Sequence, residues 1–221
     1  MATILSSVLT LAQGYSQHSG GVGLIGAIQH RDWERAQLIL DSHPDVNVRD
    51  PDTAVTPLTE AIYAHNNDFV TRLLSVGADP NFESGVFTPL GAAASVCDLQ
   101  IATTLLDHGA LVDLKQSVDH WTPLRVASER CGPRFLQFLL KAGADPDVTS
   151  DFGDTALMEA ALSPNLSAAK VLIEAGADPF TKDDFGQTAK DRACNLHWPA
   201  NHIEEFAQMC AFLRNLPRKS E

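Results

Sequence analysis

Basic residues are scarce. Sixteen Lys and Arg stand against 28 Asp and Glu, leaving a formal net charge of −12 and a sequence pI near 4.9. A chain so short of cations is poorly equipped to neutralise phosphates, so neither nucleic acid nor an anionic membrane surface is an expected partner. Long apolar runs are missing too: the longest, from Ile4 to Ala12, is interrupted by Ser6, Ser7 and Thr10 and is too short to cross a bilayer. The first cation is Arg31, so the chain opens without the basic residues of an export signal. A cytoplasmic location is expected, with secretion lacking a classical signal as the other route. Four cysteines in 221 residues, Cys97, Cys131, Cys194 and Cys210, are too few for a disulfide scaffold and suit a reducing compartment. With 44% hydrophobic and 20% charged residues, wholesale disorder is excluded.

What the sequence has instead is self-similarity. Thr56-Pro57-Leu58, Thr88-Pro89-Leu90, Thr122-Pro123-Leu124, Thr155-Ala156-Leu157 and Thr188-Ala189-Lys190 recur at spacings of 32, 34, 33 and 33 residues. Five residues after each Thr stands an alanine: Ala61, Ala93, Ala127, Ala160 and Ala193. Four units then carry an aliphatic pair, Leu73-Leu74, Leu105-Leu106, Leu139-Leu140 and Leu172-Ile173, followed by Gly-Ala at 77–78, 109–110, 143–144 and 176–177. Thr-Pro opens a helix, because proline at the first helical position gives up an N–H that had no partner there. Leu58 and Ala61, and their counterparts, make one apolar face on which the small alanine admits a neighbouring helix. Glycine closes the second helix in a left-handed conformation, and the Asp-Pro that follows at 79–80, 145–146 and 178–179 prevents continuation. Each unit is therefore helix, turn, helix, extended loop.

This pattern resembles the ankyrin repeat, in which Thr-Pro-Leu-His-x-Ala marks the first helix and Leu-Leu-x-x-Gly-Ala the end of the second. The resemblance implies an all-α solenoid of stacked helix-turn-helix units with β-hairpin-like loops. Residues 22–216 form the array, with repeats starting near 22, 56, 88, 122, 155 and 188, and the first and last are degenerate. Residues 1–21 are read as a capping helix and linker, with Ile4, Leu5, Val8 and Ala12 on one face, and 217–221 as a tail. The resemblance further implies a non-catalytic protein-recognition module that binds a partner through its loop tips and the inner face of its first helices, with no cofactor.

Three motifs invite other readings. Gly21-x-Gly23-x-x-Gly26 has the spacing of a dinucleotide fingerprint, but no strand precedes it and the repeat phase already accounts for Leu24 and Ala27. Cys194, His197, His202 and Cys210 could in principle hold a metal, yet their spacing fits no common zinc pattern, and a buried thiol with solvated histidines is the expected reading. An enzyme or metal-binding protein centred on this last repeat is the alternative function. His65, Cys97 and Cys131 stand nine residues after their repeat threonines. Since stacked helices lie about 8–10 Å apart and a disulfide needs Cα atoms within about 7 Å, no bridge between Cys97 and Cys131 is expected.

The candidate partner-binding residues are Phe87, His120, Trp121, Arg125, Arg130, Phe152 and Phe185. Phe87 and Trp121 immediately precede their repeat threonines, while Phe152 and Phe185 occupy equivalent loop positions, each followed by glycine. Arg125 and Arg130 form a basic island on one first helix, with Glu129 placed to pair with Arg125 four residues away. Asp50, Asp52, Glu83, Asp119, Asp151, Asp154, Asp183 and Asp184 fall in or beside the loops, an acidic rim suited to a basic protein partner. A monomer acting as an inhibitor or immunity-type protein, or as an adaptor or effector, is the expected use.

Overall fold

The computed structural model describes residues 20–194 and 202–217. The regular elements among them are helices, with no strand. The described part of α1 covers residues 20–29, and α2 (Trp33–Asp41), α3 (Pro57–Tyr63), α4 (Asn67–Ser75), α5 (Pro89–Ser95), α6 (Leu99–Asp107), α7 (Pro123–Arg130), α8 (Pro133–Lys141), α9 (Ala156–Leu162), α10 (Leu166–Glu174), α11 (Ala189–Ala193) and α12 (Ile203–Arg214) follow. They form six consecutive helix pairs. Residues 20 and 21 already belong to α1, so the boundary placed after residue 21 falls inside a helix; the capping helix expected at 4–12 lies outside the described residues.

The chain divides into two compact units, one ending at Ala92 and including Gln100–Ala110, the other comprising Ala93–Leu99 and the chain from Leu111 onward. In the second unit α7 packs on α9 and α9 on α11, while α8 packs on α10 and α10 on α12. Ala127, Ala160 and Ala193 are at most 2% exposed at these contacts, and Leu124, Leu136, Leu139, Leu157 and Leu172 are no more than 1% exposed. Burying each leucine contributes about 1.5–3 kcal/mol.

The helix boundaries follow from the repeated residues. Oγ1 of Thr56, Thr88, Thr122, Thr155 and Thr188 accepts the backbone N–H three residues on, at 3.1–3.3 Å. Such a cap is worth about 1 kcal/mol. At the other end Gly77, Gly109, Gly143 and Gly176 hold φ between 91° and 101°, and the next residue's N–H reaches back to Leu73, Leu105, Leu139 or Leu172 O at 2.9–3.0 Å. This closure satisfies a carbonyl that the helix leaves open, and its φ is one that a side chain opposes.

A second recurrence lies four residues after the glycine or its left-handed substitute. Asn47 accepts the Asp79 N–H at 2.8 Å and donates to Gly77 O at 3.0 Å, Asn81 donates to Gly109 O at 3.1 Å, Asp113 accepts Asp145 N–H at 3.0 Å, and Asp147 accepts Asp178 N–H at 2.8 Å. Each of these side chains therefore ties its repeat to the next within its unit.

Gly21 is explained by packing: a Cβ there would stand 2.3 Å from Asp45 O and 2.6 Å from Val48 Cγ2. The glycine spacing belongs to a helix pressed against the loop that follows α2.

The cysteines correct the sequence reading. Cys97 and Cys131 form a disulfide with Cα atoms 5.5 Å apart. The helix-to-helix spacing that argued against it applies to helix axes, whereas Cys97 sits in the turn after α5 with φ 55° and Cys131 is the C-cap of α7 in an extended conformation. Both project beyond their helices and meet. Cys194 and Cys210 form a second disulfide, with Cα atoms 5.0 Å apart, that ties α11 to α12. No cysteine remains free, so the thiol count gives no support to a reducing compartment.

Candidate functional site

The loops are built on a shared base. Each closes with one backbone hydrogen bond, Asp50 N to Val55 O, Ser84 N to Phe87 O, Gln116 N to Trp121 O, Ser150 N to Asp154 O and Asp183 N to Gln187 O, at 2.8–3.1 Å. Polar side chains at the first of these positions hold the tip: Asp50 Oδ1 accepts from Asp52 and Thr53 N–H, Ser150 Oγ from Phe152 and Asp154 N–H, and Asp183 Oδ1 from Phe185 and Gln187 N–H. The Thr53 backbone N–H holds the Asp50 carboxyl below its usual pKa.

In the second unit three loops lie side by side. Asp151 N–H donates to Asp119 O at 3.4 Å and Asp184 N–H to Phe152 O at 3.0 Å. This registration places Phe152 and Phe185 on adjacent tips, 48% and 76% exposed. Beside them Asp151 and Asp184 are exposed, and His120 Nδ1 meets Asp151 Oδ2 at 2.6 Å. His120 holds a left-handed φ of 49° where the later repeats use Gly153 and Gly186, and Asp119 before it holds 62°.

Behind these tips lies a buried charge network. The Arg125 guanidinium stacks 3.8 Å from the centroid of the Trp121 ring, and its Nη2 donates to Glu159 Oε2 at 2.9 Å and to Asp154 Oδ2 at 3.5 Å. Arg192 donates in turn to Asp154 and, at 2.5 Å, to Asp183 Oδ2. Arg125 is 5% exposed, Asp154 8% and Asp183 5%. Burial lowers the Arg125 pKa against the pull of Glu159 and Asp154, and burial raises that of Glu159 against the pull of Arg125. For Asp183 burial acts upward, but the bonds from Arg192 and the loop N–H groups outweigh it and leave the carboxyl below its usual value. Trp121 Nε1 and Arg125 Nε and Nη1 are buried with no acceptor among the described residues.

The structure thus sorts the sequence candidates. His120, Trp121, Phe152 and Phe185 lie on neighbouring loops, and Arg125 sits beneath Trp121. Arg125 pairs with Glu159 and Asp154 instead of Glu129, which pairs with its neighbour Arg130 at 3.0 Å. Arg130 is exposed at the far end of α7. Phe87 is half-buried in the first unit. Asp154 and Asp183, read as part of an exposed acidic rim, are buried and consumed internally, which leaves Asp52, Asp151 and Asp184 as the exposed acids of that rim. Arg192 is the residue the sequence reading missed. Its signal was available: aligned on their threonines, the columns holding Arg125, Asp154, Glu159 and Arg192 in successive repeats are lateral neighbours. In the last repeat, Cys194 and Cys210 are bonded to each other and offer no thiolate to a metal; His197 lies outside the described residues.

Consecutive helix pairs, capped by threonine, closed by glycine and tied loop to loop, define an all-α repeat protein. The family model for ankyrin repeats matches residues 24–116 and 124–209. The chain belongs to the ankyrin-repeat family, whose repeats are generally protein–protein interaction modules. It is 33% identical over 103 residues to ankyrin repeat and KH domain-containing protein mask-1 of Caenorhabditis elegans, covering 47% of this chain and 4% of that protein. It is 34% identical over 122 residues to neurogenic locus notch homolog protein 1 of Homo sapiens, covering 54% and 5%. With SH3 and multiple ankyrin repeat domains protein 2 of Homo sapiens it shares 28% identity over 180 residues, covering 66% and 10%. The chain spans a tenth or less of the length of these relatives. Among the described residues no helix is long and apolar enough to cross a membrane.

Proposed function

We propose that this chain is a non-catalytic recognition module that uses the loop tips of its second unit to hold another protein. The observation that carries the reading is the pair of exposed rings, Phe152 and Phe185, set on adjacent tips by the Asp184–Phe152 hydrogen bond. Aromatic side chains bury large area at small entropic cost and dominate binding energy at interfaces. Asp151 and Asp184 flank them, so the partner is a protein presenting apolar side chains between basic ones, and the association is fast and sensitive to salt. His120 and the outer edge of Trp121 extend the same surface. The protein acts as a monomer, either as an inhibitor or immunity-type protein that occludes a basic target, or as an adaptor or effector. The two disulfides favour a compartment that is not strongly reducing, and so the secreted route over the cytoplasmic one.

The test is affinity capture at low and moderate salt with wild type and a Phe152→Ser/Phe185→Ser variant, followed by calorimetry with the captured protein. Loss of about 2 kcal/mol or more of binding energy in the variant is expected, with an unchanged unfolding midpoint. Equal binding by both proteins moves recognition off these tips.

A further inference from the structure

The two disulfides differ in what surrounds their sulfurs. Cys131 is 1% exposed and packed 3.0 Å from Ala94 O, whereas its partner Cys97 is exposed. Cys194 and Cys210 are both half-buried, and Arg214, one turn beyond Cys210 on α12, places Nη2 3.5 Å from Cys210 Sγ and 4.0 Å from Cys194 Sγ. A disulfide sulfur is a weak acceptor and gains little from a guanidinium. A thiolate in the same place gains a charge-assisted hydrogen bond, so Arg214 stabilises the reduced pair more than the oxidised one.

The same arginine lines a cleft of about 650 Å³ together with Lys182, Lys190 and Phe180, and with the carboxylates of Asp178 and Asp191. Asp191 is engaged by Thr188, whose N–H and Oγ1 donate to Oδ2 at 3.0 and 2.7 Å, and the charges of Lys190 and Lys182 add to the lowering of its pKa. In a chain carrying −12, three cations against two carboxylates line one cleft, and Arg214 joins it to the disulfide.

We propose that Cys194–Cys210 is a redox-active disulfide that exchanges with an anionic low-molecular-weight thiol of the glutathione class, seated on Lys182, Lys190 and Arg214. The thiolate of one small thiol attacks Cys194 Sγ, the protein S–S bond breaks, and its electron pair leaves on Cys210 Sγ, the sulfur nearer Arg214. A second small thiolate attacks the mixed disulfide at the small molecule's own sulfur, releasing the oxidised small disulfide and Cys194 as thiolate. The protein pair gains two electrons, two small thiols lose one each, and the protein sulfurs take protons from water as the local equilibrium requires. Opening removes the covalent tie between α11 and α12, the helix that covers the last repeat with Phe206, Met209 and Leu213. Cys97–Cys131 is the harder pair to open: Cys97 is exposed, but reduction leaves a thiol or thiolate on Cys131, which is 1% exposed, where burial disfavours the charged leaving group.

The experiment equilibrates the oxidised full chain in glutathione buffers of graded reduced-to-oxidised ratio, quenches with acid, alkylates and maps each cysteine by mass spectrometry. Cys194 and Cys210 are expected to become alkylated at ratios where Cys97 and Cys131 stay paired, with the glutathione adduct on Cys194. Arg214→Gln, whose fold is checked by circular dichroism, makes the pair harder to reduce by about tenfold in the exchange constant, ~30 mV for a two-electron couple, and Arg214→Lys recovers most of the shift. Lys182→Gln/Lys190→Gln slows exchange with glutathione several-fold while leaving exchange with neutral 2-mercaptoethanol unchanged. Opening of Cys97–Cys131 first or simultaneously, alkylation of Cys194 and Cys210 before any reductant, an adduct confined to Cys210, or an unshifted Arg214→Gln midpoint overturns the proposal. So does equal slowing of both thiols by the lysine variant.

Discussion

Ala54 and His120 occupy a loop position whose backbone turns left-handed, φ 58° and 49°, while the later repeats place Gly153 and Gly186 there. A side chain in that region costs about 1–2 kcal/mol, partly offset because glycine loses more entropy on folding. Ala54→Gly is therefore expected to stabilise the chain by roughly 0.5–1 kcal/mol, read from urea unfolding. Trp121 shows the limit of reading one residue at a time. From the sequence its ring is a contact residue whose removal should change binding more than stability. The structure stacks it on buried Arg125 with its Nε1 enclosed, so Trp121→Ala also removes the lid of a buried guanidinium. A loss of about 2 kcal/mol in stability is expected, and an unchanged unfolding midpoint would show that the stack contributes nothing.

Helix starts and stops were legible because each depends on one local residue: Thr accepting an N–H three residues on, or Gly at a positive φ. The buried network on α7, α9 and α11 is not local in this way: Arg125 and Glu159 are 34 residues apart and meet only through the stacking of repeats, so it is legible only from columns aligned across repeats. Asp183 anchors this network with a side chain that is 0% exposed, and breaking a buried pair costs about 3 kcal/mol. Asp183→Asn should lower stability at neutral pH by about that amount. Its carboxyl, and that of Asp191, lie below the ordinary value of 3.8 in the folded chain. Their stabilisation is therefore complete above that value and lost as pH falls through the folded one. Glu159 acts in the opposite sense: its pKa is raised above 4.5, so its contribution weakens as pH rises from 4.5 to the folded value. Acid titration followed by fluorescence should show a steep loss below pH 3.8 in wild type and a shallower one in Asp183→Asn.

At the scale of the molecule, periodicity revealed six helix pairs but concealed the bridges, because a general helix spacing was applied to two residues that sit at helix ends. The Cys97–Cys131 bridge closes a loop of sequence separation 34 and is expected to contribute about 3–4 kcal/mol through the unfolded state. Cys97→Ser removes it while leaving Cys131 its contact with Ala94 O, and the loss in unfolding free energy measures the bridge together with the weak 3.7 Å contact of Cys97 Sγ with Ala94 O. The polar ladder from Asn47 to Asp147 has a different bearing. The intervals from each ladder residue to the next repeat threonine are nine residues from Asn47, seven from Asn81, nine from Asp113 and eight from Asp147, yet every ladder bond forms. Within each unit the joint between repeats is thus fixed upstream of the place where length varies, like fingers of unequal length set on their knuckles. Insertion or deletion at a tip alters reach without disturbing the hand, so such a protein can change what it grips by a few codons while the rest of the chain stays as it was.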